Sequence, residues 1–147
     1  MTKYPSIVLT IAGSDSGGGA GVQADIKAIS ASGAYGASAI TAVTAQNTTS
    51  VTAVHEVPAV IVGAQIDAVL SDLDVDVIKL GMLFSVPIIE TTAKRLTAFK
   101  GPIVQFFRRH RGGVVEIYPA FAIARCALEA GFAGANTVIV TGADGQE

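Results

Sequence analysis

Three consecutive glycines, Gly17 to Gly19, stand between the β-branched run Ile7-Val-Leu-Thr-Ile11 and a helical pattern that continues to Gly33. That order reads as strand, side-chain-free turn and helix, the opening unit of a layered α/β fold. In a turn without side chains, main-chain N–H groups can approach a ligand and φ > 0 costs little. A helix starting there also directs its unpaired N–H groups and the positive end of its dipole at the same place.

A phosphate-binding P-loop is excluded, because it ends in Gly-Lys-[Ser/Thr] and here Ala20 and Val22 follow Gly19 and Gly21. A dinucleotide fingerprint has the wrong spacing. A tight turn with no ligand role stays open. Polarity favours a site: Ser14, Asp15, Ser16, Gln23 and Asp25 cluster at one strand end, where open parallel sheets bind ligands.

Further along, the apolar residues fall in short Val/Ile/Ala runs far below the ~18 of a membrane span, which reads as buried parallel strands. Half of the 147 residues are hydrophobic and 15% charged, enough for one domain with a core. A formal charge of −2 offers no general field for nucleic acid. The basic cluster Arg108-Arg109-His110-Arg111 reads as a surface turn. Cys126, the single cysteine, forbids an internal disulfide and reads as a core thiol. With Met-Thr-Lys-Tyr-Pro at the start instead of a signal peptide, the expected location is cytoplasmic.

Val22, Ile26 and Ile29 form one helical stripe closed by Gly33, and Asp25 off that stripe faces either solvent or the site. A second strand, Tyr35 to Val43, leads into Thr44-Ala45-Gln46-Asn47; the Gln46 amide suits a flat heterocycle, with a loop-capping role as the alternative. Val51 to Val57 reads as a flap outside the main sheet, and His55 within it has no metal partners in sequence. After Pro58, the residues Val62, Ile66, Val69, Leu70 and Leu73 face a core from a second helix.

The third strand runs from Asp76 to Leu83, and Lys79 inside it requires a carboxylate such as Asp76 or Asp15, or a ligand. Gly81 and Met82 offer bare backbone and an adaptable thioether wall. Pro87 to Phe99 is a third helix with Ile89, Ala93, Leu96 and Phe99 inward, and a strand opens at Ile103-Val104. Val114 to Tyr118 reads as a short strand, Ala120 to Ala130 as a helix, and Thr137 to Thr141 as the last strand.

Five ordered blocks, Ile11 to Lys27, Gly33 to Gly36, Ile40 to Asn47, Ala64 to Asp72 and Lys79 to Met82, together resemble the bacterial hydroxymethylpyrimidine/phosphomethylpyrimidine kinase family of thiamine biosynthesis. The resemblance covers about residues 7–104. It implies a ribokinase-like three-layer fold with a mainly parallel sheet, incomplete at the C-terminus. It also implies ATP, Mg²⁺ and two successive phosphorylations of 4-amino-5-hydroxymethyl-2-methylpyrimidine.

By the same resemblance, Gly13, Asp25, Gln46 and Met82 match the substrate-binding positions. Gln46 would read the ring edge, and Asp25 would accept from the substrate hydroxyl or amine. Residues 1–104 would be the pyrimidine-binding half, with 105–147 an atypical remainder of the same domain.

Two departures weigh against full activity. Gln105-Phe-Phe-Arg-Arg replaces the family's Asp-Pro-Val-Met strand end, and the family's Gly-Thr-Gly-Cys anion-holding turn has no counterpart. No catalytic residue is identified, and phosphoryl transfer is expected to be very weak or absent. Thr141 and Gly142 resemble the nucleotide-side strand end of related sugar kinases. The alternatives are a non-catalytic pyrimidine-binding module and an inactive gene remnant, with a homodimer possible in each case.

Overall fold

The computed structural model describes residues 5–108 and 137–142, with side chains described up to residue 105. In chain order the elements are β1 (Ile7–Asp15), α1 (Gly21–Ala31), β2 (Tyr35–Gln46), β3 (Val51–Glu56), α2 (Ala59–Asp72), β4 (Val77–Leu80), α3 (Val86–Leu96), β5 (Ile103–Arg108) and β6 (Thr137–Gly142). The six strands form one sheet in the order β3-β2-β1-β4-β5-β6, in which all neighbours run parallel except β2 and β3. The α/β layered class read from the strand–helix alternation is the observed one.

Period-two alternation distributes the strand residues between two layers. Leu9 and Ile11 of β1, Ala39 of β2, and Ile78 and Leu80 of β4 join Val62 and Ile66 of α2 and Ile88, Ile89 and Leu96 of α3 in one buried cluster. α1 packs against β1 and β2, and there the intervening Thr10 hydroxyl meets Asp25 of α1. The helix ends where residue chemistry dictates: Gly33, at φ 78°, takes up the left-handed position after the Ser32 C-cap.

Several boundaries differ from the sequence reading. β1 continues past Ile11 to Asp15 and β2 past Val43 to Gln46, so their polar ends belong to the strands. The segment from Val51 is no separate flap: β3 pairs antiparallel with β2, from Ala42 opposite Glu56 to Gln46 opposite Val51, as the sheet's edge. β4 is shorter than expected, ending at Leu80. The third helix spans Val86–Leu96, and it buries Ile88 and Thr92 as well as Ile89 and Leu96.

The change of character at Gln105 does not interrupt the sheet. β5 runs to Arg108 and pairs with β6 in unbroken parallel register from Ile103 opposite Thr137 to Arg108 opposite Gly142. The expectations for Arg109 to Arg111, Val114 to Tyr118, Ala120 to Ala130 and Cys126 lie outside the described residues.

Candidate functional site

Strand order reverses at β1: the chain goes first to β2 on one side, then crosses to β4 on the other. Crevices at the carboxyl ends of strands beside such a reversal are where open parallel sheets bind ligands. A cavity of about 220 Å³ lies there, lined by Ala12, Gly13, Ser14 and Asp15 from the end of β1, Thr44 and Gln46 from β2, and Lys79, Gly81 and Met82 from and after β4. It is smaller than the roughly 300–1,000 Å³ of drug-sized sites, a volume suited to a single ring. A larger hollow of about 550 Å³ lies against α2 and α3, with the Arg95–Asp67 ion pair on its wall.

Local packing shapes this cavity. The β1–β2 register slips between Ala12 and Ser14, and Gly13 sits in the slip. A Cβ on Gly13 would lie 2.6 Å from Met82 Cε, so the bare backbone lets the thioether lie where it does, and a side chain there would push its flexible end aside. Gly21 has φ +58°, and a Cβ there would lie 2.3 Å from Gly13 O, so only glycine can begin α1 against the strand end.

The glycine turn is not open to a ligand in the way its composition suggests. The Asp15 carboxylate accepts from the N–H groups of Gly17 at 2.8 Å, Gly19 at 3.0 Å and Ala20 at 2.8 Å. The turn carries its own anion. Burial raises the Asp15 pKa, but these bonds and the Gly18 N–H outweigh it and hold the carboxyl below its ordinary value. An aspartate two residues ahead of Gly17 is the signal that was available, since Asp side chains bond main-chain N–H groups just downstream.

Lys79 pairs with neither Asp76 nor Asp15. Its Nζ lies 2.7 Å from Asp25 Oδ2, which also accepts from Thr10 Oγ1 at 2.6 Å. Asp76 instead accepts from the Ile7 N–H at 2.8 Å. Lys79 occupies a β4 face that is half-buried, not the fully covered strand read from the sequence, so its stem packs while its head reaches the cavity.

Around Gln46 the main chain is clamped. Ser16 Oγ donates to Gln46 O and accepts from Gln46 N, both at 2.7 Å. Behind it Gln23 accepts from the Asp15 N–H at 2.8 Å and donates to Ser14 Oγ at 2.6 Å. Of the four residues singled out from the sequence, the structure brings Gly13, Gln46 and Met82 to the cavity wall. Asp25 stands behind it and touches it through Lys79. Sequence reasoning put Thr44, Ser16 and Lys79 near this edge but missed their partners: Asp25 for Lys79 and the Gln46 main chain for Ser16.

A sequence model described as phosphomethylpyrimidine kinase matches residues 15–105. The chain belongs to this family. It is 61% identical over 78 residues to a hydroxymethylpyrimidine/phosphomethylpyrimidine kinase of Rhizobium meliloti, covering 53% of this chain and 29% of that protein. Against the thiamine biosynthesis bifunctional protein ThiED of Geobacter sulfurreducens it is 55% identical over 97 residues, covering 66% and 20%.

Among solved structures, a phosphomethylpyrimidine kinase from Clostridium difficile superposes with TM-score 0.69 at 42% identity, covering 76% of this chain and 49% of that one. A pyridoxal kinase from Staphylococcus aureus, in complex with AMP-PCP and pyridoxal, gives 0.64 at 33%, covering 71% and 39%. The chain thus spans half or less of the length of these relatives. The fold is the ribokinase-like one of these kinases, and Thr141-Gly142 closes β6, two strands beyond β4.

Proposed function

We propose that residues 1–104 are the pyrimidine-binding half of an ATP-dependent hydroxymethylpyrimidine/phosphomethylpyrimidine kinase of thiamine biosynthesis, with residues 105–147 the remainder of the same α/β domain. The observation that carries this reading is the convergence of Gly13, Gln46 and Met82 on one ring-sized cavity at the sheet's reversal point.

Each wall has a task that its chemistry suits. Gln46 offers donor and acceptor to a ring edge, Met82 an adaptable apolar face, and Gly13 the room for both. Asp25 holds Lys79 against the cavity, and it is the carboxylate proposed to accept from the substrate hydroxyl or amine once the ring is bound.

ATP would supply the phosphoryl group and Mg²⁺ the charge neutralisation that such transfers need. Among the described residues, the glycine turn's N–H groups already hold Asp15, and no cluster of three or more His, Cys, Asp or Glu is present. What this half contributes is binding and orientation of the ring. A second copy, meeting the exposed edge strand β3, is the proposed partner. A cytoplasmic location belongs to the same reading; no described helix is long and apolar enough to cross a membrane.

Calorimetric titration with 4-amino-5-hydroxymethyl-2-methylpyrimidine, run beside an ATP turnover assay and a pyridoxal titration, tests the proposal. Saturable binding of the aminopyrimidine in preference to pyridoxal is expected. Gln46→Ala should lose ~1–3 kcal/mol of that affinity by leaving ring polar atoms unpaired. Parent protein that fails to bind the aminopyrimidine, or Gln46→Ala that binds it as tightly, would overturn it. Turnover above background would identify a working kinase; binding without turnover would identify the non-catalytic module.

A further inference from the structure

Thr44, 6% exposed, places its Oγ1 2.7 Å from Ser14 O and 3.2 Å from the Gln46 side-chain amide at Oε1. One hydroxyl carries one proton. Ser14 O is a carbonyl and can only accept, and at 2.7 Å it cannot face a hydroxyl lone pair, so the proton of Thr44 goes there. What remains toward Gln46 is a lone pair. Oxygen against lone pair at 3.2 Å is unfavourable, whereas the same amide turned through half a rotation about its terminal bond donates from Nε2 and satisfies both contacts. The amide's oxygen then takes the place of Nε2, on a side chain that lines the cavity.

We propose that Thr44 is the specificity-determining positioning residue of this site: by spending its proton on Ser14 O it fixes Gln46 with Nε2 inward and Oε1 toward the ligand. The cavity thereby selects rings that present a donor, such as an exocyclic amine, and rejects those presenting a carbonyl at the same place. The surroundings hold the other variables still. Ser16 clamps the Gln46 main chain through both N and O, so the amide is presented from a fixed backbone, and Thr44 sets its rotation. This inference rests on the pyrimidine-binding reading.

The test compares calorimetric affinities for 4-amino-5-hydroxymethyl-2-methylpyrimidine and its 4-oxo counterpart across Thr44 variants. The parent should favour the amine by about tenfold or more, the factor that one mispaired buried hydrogen bond is worth. Thr44→Val keeps the shape but lets the amide turn either way, and the ratio should fall to within about threefold of unity. Thr44→Ser keeps the hydroxyl and should restore the preference. Should the valine variant not fold, Thr44→Ala makes the same removal.

A Thr44→Val or Thr44→Ala protein that folds and keeps the parent's ratio overturns the inference, as does a parent that binds both rings equally. A merely structural role for Thr44 would weaken both ligands together and leave the ratio unchanged. Failure of the parent to bind either ring would instead sink the underlying substrate reading, and this inference with it.

Discussion

Asp15 shows how one side chain can reverse the meaning of a motif. Three glycines at a strand end suggest a bare cradle for a ligand anion, yet the Asp15 carboxylate occupies the N–H groups of Gly17, Gly19 and Ala20. Because those bonds hold its folded pKa below the unfolded value, the stability they confer is fully present at neutral pH. It is lost as pH falls through the depressed folded value, below 3.8.

Urea unfolding followed between neutral and strongly acidic pH should therefore show the parent weakening on that acid limb. Asp15→Asn should be less stable at neutral pH and lack that part of the slope. An asparagine variant with the parent's acid slope would remove Asp15 as its cause. At this scale the sequence showed the polar cluster legibly, but not the pairings. Lys79 finds Asp25, which lies 54 positions away in the chain, because α1 folds back over β1 and β4 sits beside it.

At the scale of the element, β5 carries the clearest local conflict. Gln105, paired with Leu80 across the sheet, is 3% exposed, and its Nε2 has no hydrogen-bond partner among the described residues. It is also the last residue that the family model matches. A buried amide donor without a partner costs ~1–3 kcal/mol, and an apolar side chain of similar volume carries no such penalty. Gln105→Leu should accordingly raise the thermal midpoint by a few degrees in scanning calorimetry. An unchanged or lower midpoint would mean that the amide is satisfied in solution.

Element existence was readable throughout the described residues because each strand and helix has its own period. Element ends were not. β1 and β2 continue into Ser14-Asp15 and Thr44-Ala45-Gln46 because neighbouring strands supply ladder bonds there, a fact of pairing that residue type does not encode.

Across the whole molecule, the sheet places polar chemistry at one edge and an unshielded apolar strand at another. Every residue of β3 is exposed, with Val51 at 52% and Val54 at 44%, and among the described residues one side of the strand has no neighbour in the sheet. Strand edges of this kind recruit a further strand. Sedimentation velocity should find a dimer that Val51→Lys shifts toward monomer, since an edge lysine opposes strand addition. A monomeric parent at the same concentration would leave β3 without the proposed partner.

The alternation of β-branched runs with helical stripes was enough by itself to determine the α/β class and the helix faces, and five ordered blocks carried the family resemblance, because hydrophobic period and local motif are properties of adjacent residues. Only the tertiary structure decided that Gly13, Gln46 and Met82 share a cavity while Asp25 stands behind it, that Asp15 fills the glycine turn, and that Thr44 faces Ser14 and Gln46. Those facts depend on strand order and register, which bring together residues tens of positions apart, and no local pattern in the chain carries that distance.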